Sequence, residues 1–551
     1  MLDSFNRFLR KRRMRNLKTL MHAHRKIMAD QLDLENVRLF GSIETMPLTL
    51  PQNALRSLVP EEFLDDARSV LRQTLLSQGR LYMLSQLSLV VAGSKQLPVI
   101  PLPSKWRKSV ERELGITASP SSARRFWSLV VQAYLTGWRD LIALATRKRS
   151  GWTDHGFPNS PYQVFCDYSD LQLPDPEGQT ERRNFTSWFG AQFSLPSDYA
   201  FVCANPKYEE TRPWGARGLA SRFPFPPVST NASRFAFALD GLRLAATAAT
   251  GFLTGRWWLP VMLPEAIRLS YVRRLPAHAL AERYAFHSGN RYVRPLWTYD
   301  AARRGAKSVL CLYSGNFETY TTAPTGEPPR MIGWRNLDWA EVVSPDAQSR
   351  AVLRPVMPEA CRIETWGRFL NLSDSGEAAP QPSRNYIAAF DVSPYREAFR
   401  AITGLHIGYY TMPVVEKFLT DLVAEAERLG YDVLLKPKNV ESRNIDARYR
   451  QLLGELDRHP HVSIANERIA ASRLAEGASA IISLPFATTA QLGGYLGIPS
   501  CYYDPTGDLR RFRTLSHGMD MLFGSEELGQ WMAQQLRSPM AAERAVEVVR
   551  R

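Results

Sequence analysis

Residues 431–507 constrain the fold most. They read as strand 431–435, helix 444–456, strand 461–465, helix 467–476, strand 479–484, helix 488–496 and strand 499–503. Alternation this regular predicts a parallel sheet joined by right-handed helical crossovers. Three of the strands end in polar clusters: Lys436-Pro437-Lys438, Ser483-Leu484-Pro485-Phe486-Ala487-Thr488-Thr489 and Tyr502-Tyr503-Asp504-Pro505-Thr506-Gly507. In a parallel sheet such ends gather along one edge, where open α/β sheets bind ligands.

The pattern extends upstream. A strand at 387–390 runs into Asp391-Val392-Ser393-Pro394, and a helix at 411–429 has Thr411 at its start, Pro413 in its first turn and Gly430 at its close. Residues 372–383 carry Ser, Asp, Gly and a Pro-Gln-Pro tripeptide, the composition of a linker. Further upstream, strands at 162–166, 199–203 and 308–313 define a second α/β region over 160–345, with residues 214–231 read as an irregular excursion. Residues 1–150 read as a helical N-terminal extension, 346–384 as a linker region and 385–551 as the C-terminal domain. A chain of 551 residues accommodates this division.

Composition narrows the setting. Five scattered cysteines form no CxxC pair and no zinc spacing, which points to a reduced, cytoplasmic protein without a structural metal. Much of the formal charge of +15 lies in Arg7, Arg10, Lys11, Arg12, Arg13, Arg15 and Lys18, interleaved with Leu2, Phe5, Phe8, Leu9, Leu17 and Leu20. This basic amphipathic segment suits an anionic membrane surface, where each basic residue contributes roughly 1 kcal/mol, or a solvated helix. Nucleic acid is not expected. The best candidate for a membrane span, residues 241–264, holds Arg243, Arg256 and two prolines, and its longest uncharged run, residues 244–255, is too short to cross. It reads as a buried helix, or as an interfacial one with Trp257 and Trp258 at the headgroups.

Several residues suit a phosphorylated ligand. Pro437 holds Lys436 extended, and Lys436 and Lys438 can act as point charges for phosphate, or simply meet solvent. Thr488 and Thr489 open a helix whose N-terminus would favour an anion, or they cap it. Ser483, Tyr503, Asp504 and Asp391 complete the candidate ligand-binding set, with Asp504 reaching a ribose or holding its own turn. Asp167, Asp170 and Glu318 follow strands of the first α/β region and are the candidates for a general base. No Walker A loop, GxGxxG fingerprint, GxSxG elbow or HExxH pair is present.

The segments Ala389-Phe390-Asp391-Val392-Ser393-Pro394, Leu435-Lys436-Pro437-Lys438, Ile482-Ser483-Leu484-Pro485-Phe486-Ala487-Thr488-Thr489-Ala490 and Tyr502-Tyr503-Asp504-Pro505 resemble those of bacterial surface-polysaccharide biosynthesis proteins of the PFTS-motif type. Arg294-Pro295-Leu296-Trp297-Thr298-Tyr299 and Leu312-Tyr313-Ser314-Gly315-Asn316 resemble further family segments, so that the likeness covers residues 285–525. Ala487 stands where the family has Thr, and Thr488 where it has Ser.

The resemblance implies an α/β protein of two Rossmann-like domains (GT-B-like) facing across a cleft, with the helical extension in front. It implies an inverting, metal-independent glycosyltransferase without a cofactor. The enzyme would move a sugar from a nucleotide-sugar, CMP-sugar favoured over UDP-sugar, to a surface polysaccharide or glycolipid acceptor. By likeness to the donor motifs of bacterial sialyl- and Kdo-transferases, Lys436 and Lys438 would contact donor phosphate, and Thr488 and Thr489 would sit at its helix-end site. No acidic motif like that of the sialyltransferases is found. The rival expectations are a nucleotide-sugar epimerase or hydrolase on the same fold, and a non-catalytic membrane-associated assembly protein.

Overall fold

The computed structural model describes residues 50–51, 53–91, 97–147, 152, 161–168, 185–196, 199–208, 211–214, 217–287, 293–312, 337–355, 357–367, 380, 382, 384–396, 409–438, 440, 442, 444–467, 469–510, 516 and 518–536. Two mainly parallel sheets organise them.

The first half begins with helices α1 (Leu64–Val91), α2 (Ser104–Leu114) and α3 (Ser121–Ala145). Then follow β1 (Tyr162–Cys166), α4 (Phe185–Gln192), β2 (Ala200–Ala204), β3 (Arg212–Trp214), β4 (Gly218–Ser221), α5 (Asn231–Thr254), α6 (Trp258–Val272), β5 (Arg283–His287), α7 (Trp297–Arg303), β6 (Lys307–Cys311), β7 (Glu341–Ser344), α8 (Ala347–Leu353) and β8 (Arg362–Thr365). The strand order is β3-β4-β2-β1-β5-β6-β7-β8, with only the β3–β4 pair antiparallel. All five residues of β1 are buried, as a central strand covered on both faces requires.

The helical N-terminal region is present as expected, and its described helices wall this domain: Leu71, Trp106 and Val130 share one apolar core with Val164 of β1 and Ile363 of β8. Two sequence expectations change here. Part of the supposed linker belongs to the sheet, because α8 and β8 lie within it. Alternating exposure and charge in Arg362-Ile363-Glu364-Thr365 hid that edge strand. The supposed excursion at 214–231 contains β4, which pairs parallel with β2.

The span candidate divides at Gly255, whose φ of 69° ends α5. The next helix, α6, is almost wholly buried. Gly241 of α5 lets that helix close on α3, since a Cβ there would lie 2.2 Å from Leu141 Cδ1. Trp257 packs edge-on against Phe126 at 5.5 Å, and Trp258 donates from Nε1 to the Ala54 carbonyl at 3.0 Å. Neither tryptophan is placed as a headgroup anchor. Among the described residues no helix is long and apolar enough to cross a membrane.

The second half holds β9 (Tyr386–Phe390), α9 (Met412–Leu429), β10 (Asp432–Lys436), α10 (Ala447–Leu456), β11 (Val462–Ile464), α11 (Ala471–Ala475), β12 (Ala480–Ser483), a 3-10 turn (Thr488–Ala490), α12 (Gln491–Leu496), β13 (Ser500–Asp504), β14 (Asp520–Phe523) and α13 (Gly524–Leu536). Its six strands run β11-β10-β9-β12-β13-β14, all parallel. Counted in chain order this is 3-2-1-4-5-6, the doubly wound dinucleotide-fold order. Alternate residues of each central strand feed apolar clusters on opposite faces: Ile387 and Ala389 on one, Ala388 and Phe390 on the other. Thr411 occupies the N-cap of α9 but makes no side-chain capping bond, while Gly430 ends the helix at φ 81° as expected.

Candidate functional site

Strand order decides where a ligand can sit. In the second sheet the winding reverses between β9 and β12, so the crevice opens beyond their carboxyl ends. In the first sheet the same reversal falls between β1 and β5. These two points select Asp391 and residues 484–489 in one half, and Asp167 and His287 in the other. Among the described residues three non-glycine residues have positive φ: Asp167 (65°), Ser194 (51°) and Phe486 (66°). Two of the three lie at these crevices. Aspartate tolerates the left-handed region, whereas phenylalanine is a genuine outlier there.

The Phe486 turn is held from several sides. Its ring is buried and packs on Tyr502 at 5.8 Å. The Leu484 N–H donates to the Phe390 carbonyl at 3.0 Å, and Tyr410 Oη donates to the Pro485 carbonyl at 2.7 Å. The Pro-Phe pair therefore shapes the chain at the crevice, and the cost is one strained backbone position.

Asp391, buried at the end of β9, is the centre of the polar cluster at this crevice. Tyr449 Oη donates to its Oδ2, and the Lys438 backbone N–H to its Oδ1 at 3.4 Å. Burial pushes the carboxyl up to about 6, against the pull of those donors and of the Lys438 and Lys436 charges. Lys436 Nζ donates to the Glu467 carbonyl at 2.8 Å, and Glu467 Oε2 accepts from the Val440 N–H at 2.5 Å. Burial lowers the Lys436 ammonium, and Glu467 and Asp391 oppose it. Lys436 thus anchors its own loop to the end of β11. Lys438 is crowded enough to lower its ammonium, yet the side chain is solvent-exposed and solvent screens the effect. Lys438 is thus the lysine of the pair whose side chain is exposed.

Other donor candidates are occupied within the fold. Tyr503 is buried, and its hydroxyl donates to Asp421 of α9. Asp504 is buried and accepts from Tyr409 Oη at 2.7 Å, the Thr506 N–H at 2.9 Å, Thr506 Oγ1 at 2.8 Å and the Leu509 N–H at 2.9 Å. The carboxylate holds the turn that follows β13 and has no reach left for a ribose. Thr489 and Ser483 hydroxyls bond each other at 3.1 Å. Thr488 does not open a regular helix: Ala487 takes the cap position and a single 3-10 turn precedes the short α12.

On the other sheet, Asp167 follows β1 with its backbone N–H bonded to the Ala204 carbonyl at 2.8 Å. It lines a pocket with Arg139 and Asp140 of α3, Arg222, Arg268 of α6 and Trp297 of α7. Arg268 grips Asp140 with two donors, at 2.7 and 3.0 Å, and Glu265 with a third at 3.2 Å. Burial works against the guanidinium, but these carboxylates, with Asp167, raise it.

His287, at the end of β5, escaped the sequence reading. It is buried edge-on to Tyr168 at 5.2 Å between ring centres, and burial pushes it down to about 4 despite the Asp167 charge. The imidazole is therefore neutral at pH 7. Its only sequence signal was a histidine ending the apolar run Tyr284-Ala285-Phe286. Glu467 was likewise missed, read as the start of a helix. Asp170, Glu318 and the basic segment 7–18 lie outside the described residues.

No curated protein matches the chain. Solved structures that align include the wall teichoic acid polymerase TagF, at 10% identity and TM-score 0.34 over 76% of this chain and 91% of that one. UDP-GlcNAc 2-epimerase of Methanocaldococcus jannaschii aligns at 10% and 0.35, over 71% and 99%. UGT73P12 of Glycyrrhiza uralensis aligns at 9% and 0.34, over 70% and 90%. Likenesses this weak carry no argument, and the two-domain, GT-B-like α/β architecture rests on the sheet topologies above. The profile of the family described as "Polysaccharide biosynthesis PFTS motif protein" matches residues 243–532, which spans β5 to β8, the whole second sheet and the Phe486 turn. This chain belongs to that polysaccharide biosynthesis PFTS motif family.

Proposed function

We propose that the protein is an inverting glycosyltransferase that moves a sugar from a nucleotide-sugar to a surface polysaccharide or glycolipid acceptor, with CMP-sugars favoured over UDP-sugars. The observation that carries this reading is the pairing of two doubly wound sheets, each with an acid buried at its switch point: Asp391 beside Lys438 in one, Asp167 beside His287 in the other.

The donor would lie at the crevice of β9 and β12, its phosphate toward Lys438 and the backbone of the Phe486 turn. The acceptor would lie in the Asp167 pocket, across the cleft between the domains. Asp167 takes the proton of the acceptor hydroxyl as its oxygen attacks the anomeric carbon. The anomeric C–O bond to phosphate breaks, and its electron pair leaves on the phosphate oxygen. Lys438 offsets that developing charge, an electrostatic role that needs no metal or other cofactor. Neutral His287 helps fix the carboxylate, and domain closure excludes water.

Thermal-shift titration of the full chain with CMP, UDP, GDP and their sugars, followed by a transfer assay with the donor that binds, tests this. Stabilisation by one nucleotide class and product formed only with acceptor are expected. Donor epimerised or hydrolysed without acceptor would establish the rival enzyme reading. No shift with any nucleotide would leave a non-catalytic assembly protein.

A further inference from the structure

The outward surface of α3 and α5 is unusual. Val131, Leu135 and Ile142 are exposed on α3, and Phe235, Leu239, Leu242 and Leu253 on α5. Phe235 is 67% exposed and Leu253 90%. The two helices touch along their length: Tyr134 Oη donates to the Ala245 carbonyl at 3.4 Å, and Phe252 packs against both Tyr134 and Trp127. Both cover α6, so their free faces lie side by side.

Charge is one-sided there. Each helix carries a single acid, and neither acid is exposed: Asp140 is buried against Arg268, and Asp240 is held by Arg243, Ser270 and Arg274. Arg124, Arg139 and Arg243 are exposed on these helices, and Arg256 just beyond α5. A solvated helix face of this length normally interleaves both signs. Apolar side chains flanked by arginines alone match an interfacial surface facing anionic lipid.

We propose that the α3–α5 face seats the protein on an anionic phospholipid bilayer. Arg139 lies between Leu135 and Ile142 and also lines the Asp167 pocket, so the seated protein would hold that pocket beside the headgroups. An acceptor anchored in the same leaflet could then reach Asp167. This last consequence rests on the transferase reading; the docking does not, and it is measured without donor or turnover.

The test is flotation of the full chain with vesicles of phosphatidylglycerol and phosphatidylcholine, against phosphatidylcholine alone, with sedimentation velocity in parallel. Wild type should float with the anionic vesicles only. The triple variant Leu135→Glu, Leu239→Glu, Leu242→Glu should lose partitioning by roughly tenfold or more, since it sets like charge against the leaflet. Should the triple variant fold poorly, Leu253→Glu decides alone, because a side chain so exposed has little packing to lose; a clear loss of flotation is expected. Flotation unchanged in these variants would overturn the proposal and assign binding elsewhere, the basic segment 7–18 included. Self-association of wild type that the variants abolish, without vesicle binding, would overturn it in favour of a second copy as occupant.

Discussion

Replacing Asp391 with asparagine separates stability from function. The carboxyl sits at about 6 in the folded protein against 3.8 for an unperturbed aspartate. That is a shift of about two units, or roughly 3 kcal/mol of differential interaction. The sign follows from proton counts. Between these two values the folded state holds the proton more tightly than the unfolded chain, so stability falls as pH rises from about 4 to about 6, and stays lower above. The amide introduced by Asp391→Asn cannot ionise, and its oxygen can still accept from Tyr449 or the Lys438 N–H. The shift already includes the carboxylate's hydrogen bonds; imperfect hydrogen bonding of the new amide nitrogen costs about 1 kcal/mol, which leaves a net gain of roughly 1–2 kcal/mol at pH 7.

Only one of the thirteen tryptophans, Trp531, follows residue 366, so fluorescence would report mainly on the other domain. Hydrogen exchange of peptides covering β9 and β10, corrected for intrinsic rates, reads the local stability instead. The variant should exchange more slowly than wild type at pH 7, and its advantage should vanish by pH 4. Faster exchange in the variant at both pH values would refute the reasoning and make Asp391 a charged structural anchor held by its lysines. Nucleotide binding, which the proposal assigns to Lys438 and the Phe486 turn, should not fall with the loss of this negative charge, and titration checks it.

Other perturbations separate the remaining roles. Lys438→Ala should weaken donor binding about tenfold or more, with an unchanged melting temperature, because it removes an exposed cation; nucleotide titration checks this. Lys436→Ala should lower stability as well as binding, since its ammonium fastens the 436–440 loop to the Glu467 carbonyl; thermal melts distinguish it from Lys438→Ala. Asp504→Ala leaves buried donors of Tyr409 and Leu509 unmatched and should cost about 2–4 kcal/mol in urea unfolding, with no specific effect on nucleotide affinity once folded. Asp167→Asn should lower turnover by about 10²–10⁴ while leaving nucleotide binding intact, and a full rate would remove it as the base.

Much of the second domain was legible because its signals are local. Apolar runs of four or five residues, Gly430 after α9 and the polar ends of β10, β12 and β13 all lie within a few residues of what they mark. Chemistry at a strand end is local in the same sense, so Asp391, Lys436 and Lys438 were found together. The lost cases involve distance along the chain. Tyr503 is tied to Asp421, 82 residues away, and Asp504 to Tyr409, 95 residues away. No spacing rule exposes such partners, and each consumes a side chain that would otherwise read as a ligand group. The β8 edge strand was missed for the opposite reason: its half-exposed, charged sequence gives little apolar signal to read.

The sequence by itself determined that strands and helices alternate, that polar residues close several strands, and that the family motifs occur in order. Tertiary structure alone decided the order of the strands, since crossovers place β12 beside β9 and β5 beside β1 across more than ninety residues each. Side-chain periodicity records which face of a strand is buried but not which strand lies beside it. That non-local choice sets the two crevices, brings Asp391 and Asp167 to them with His287, and turns Tyr503 and Asp504 into supports of the fold.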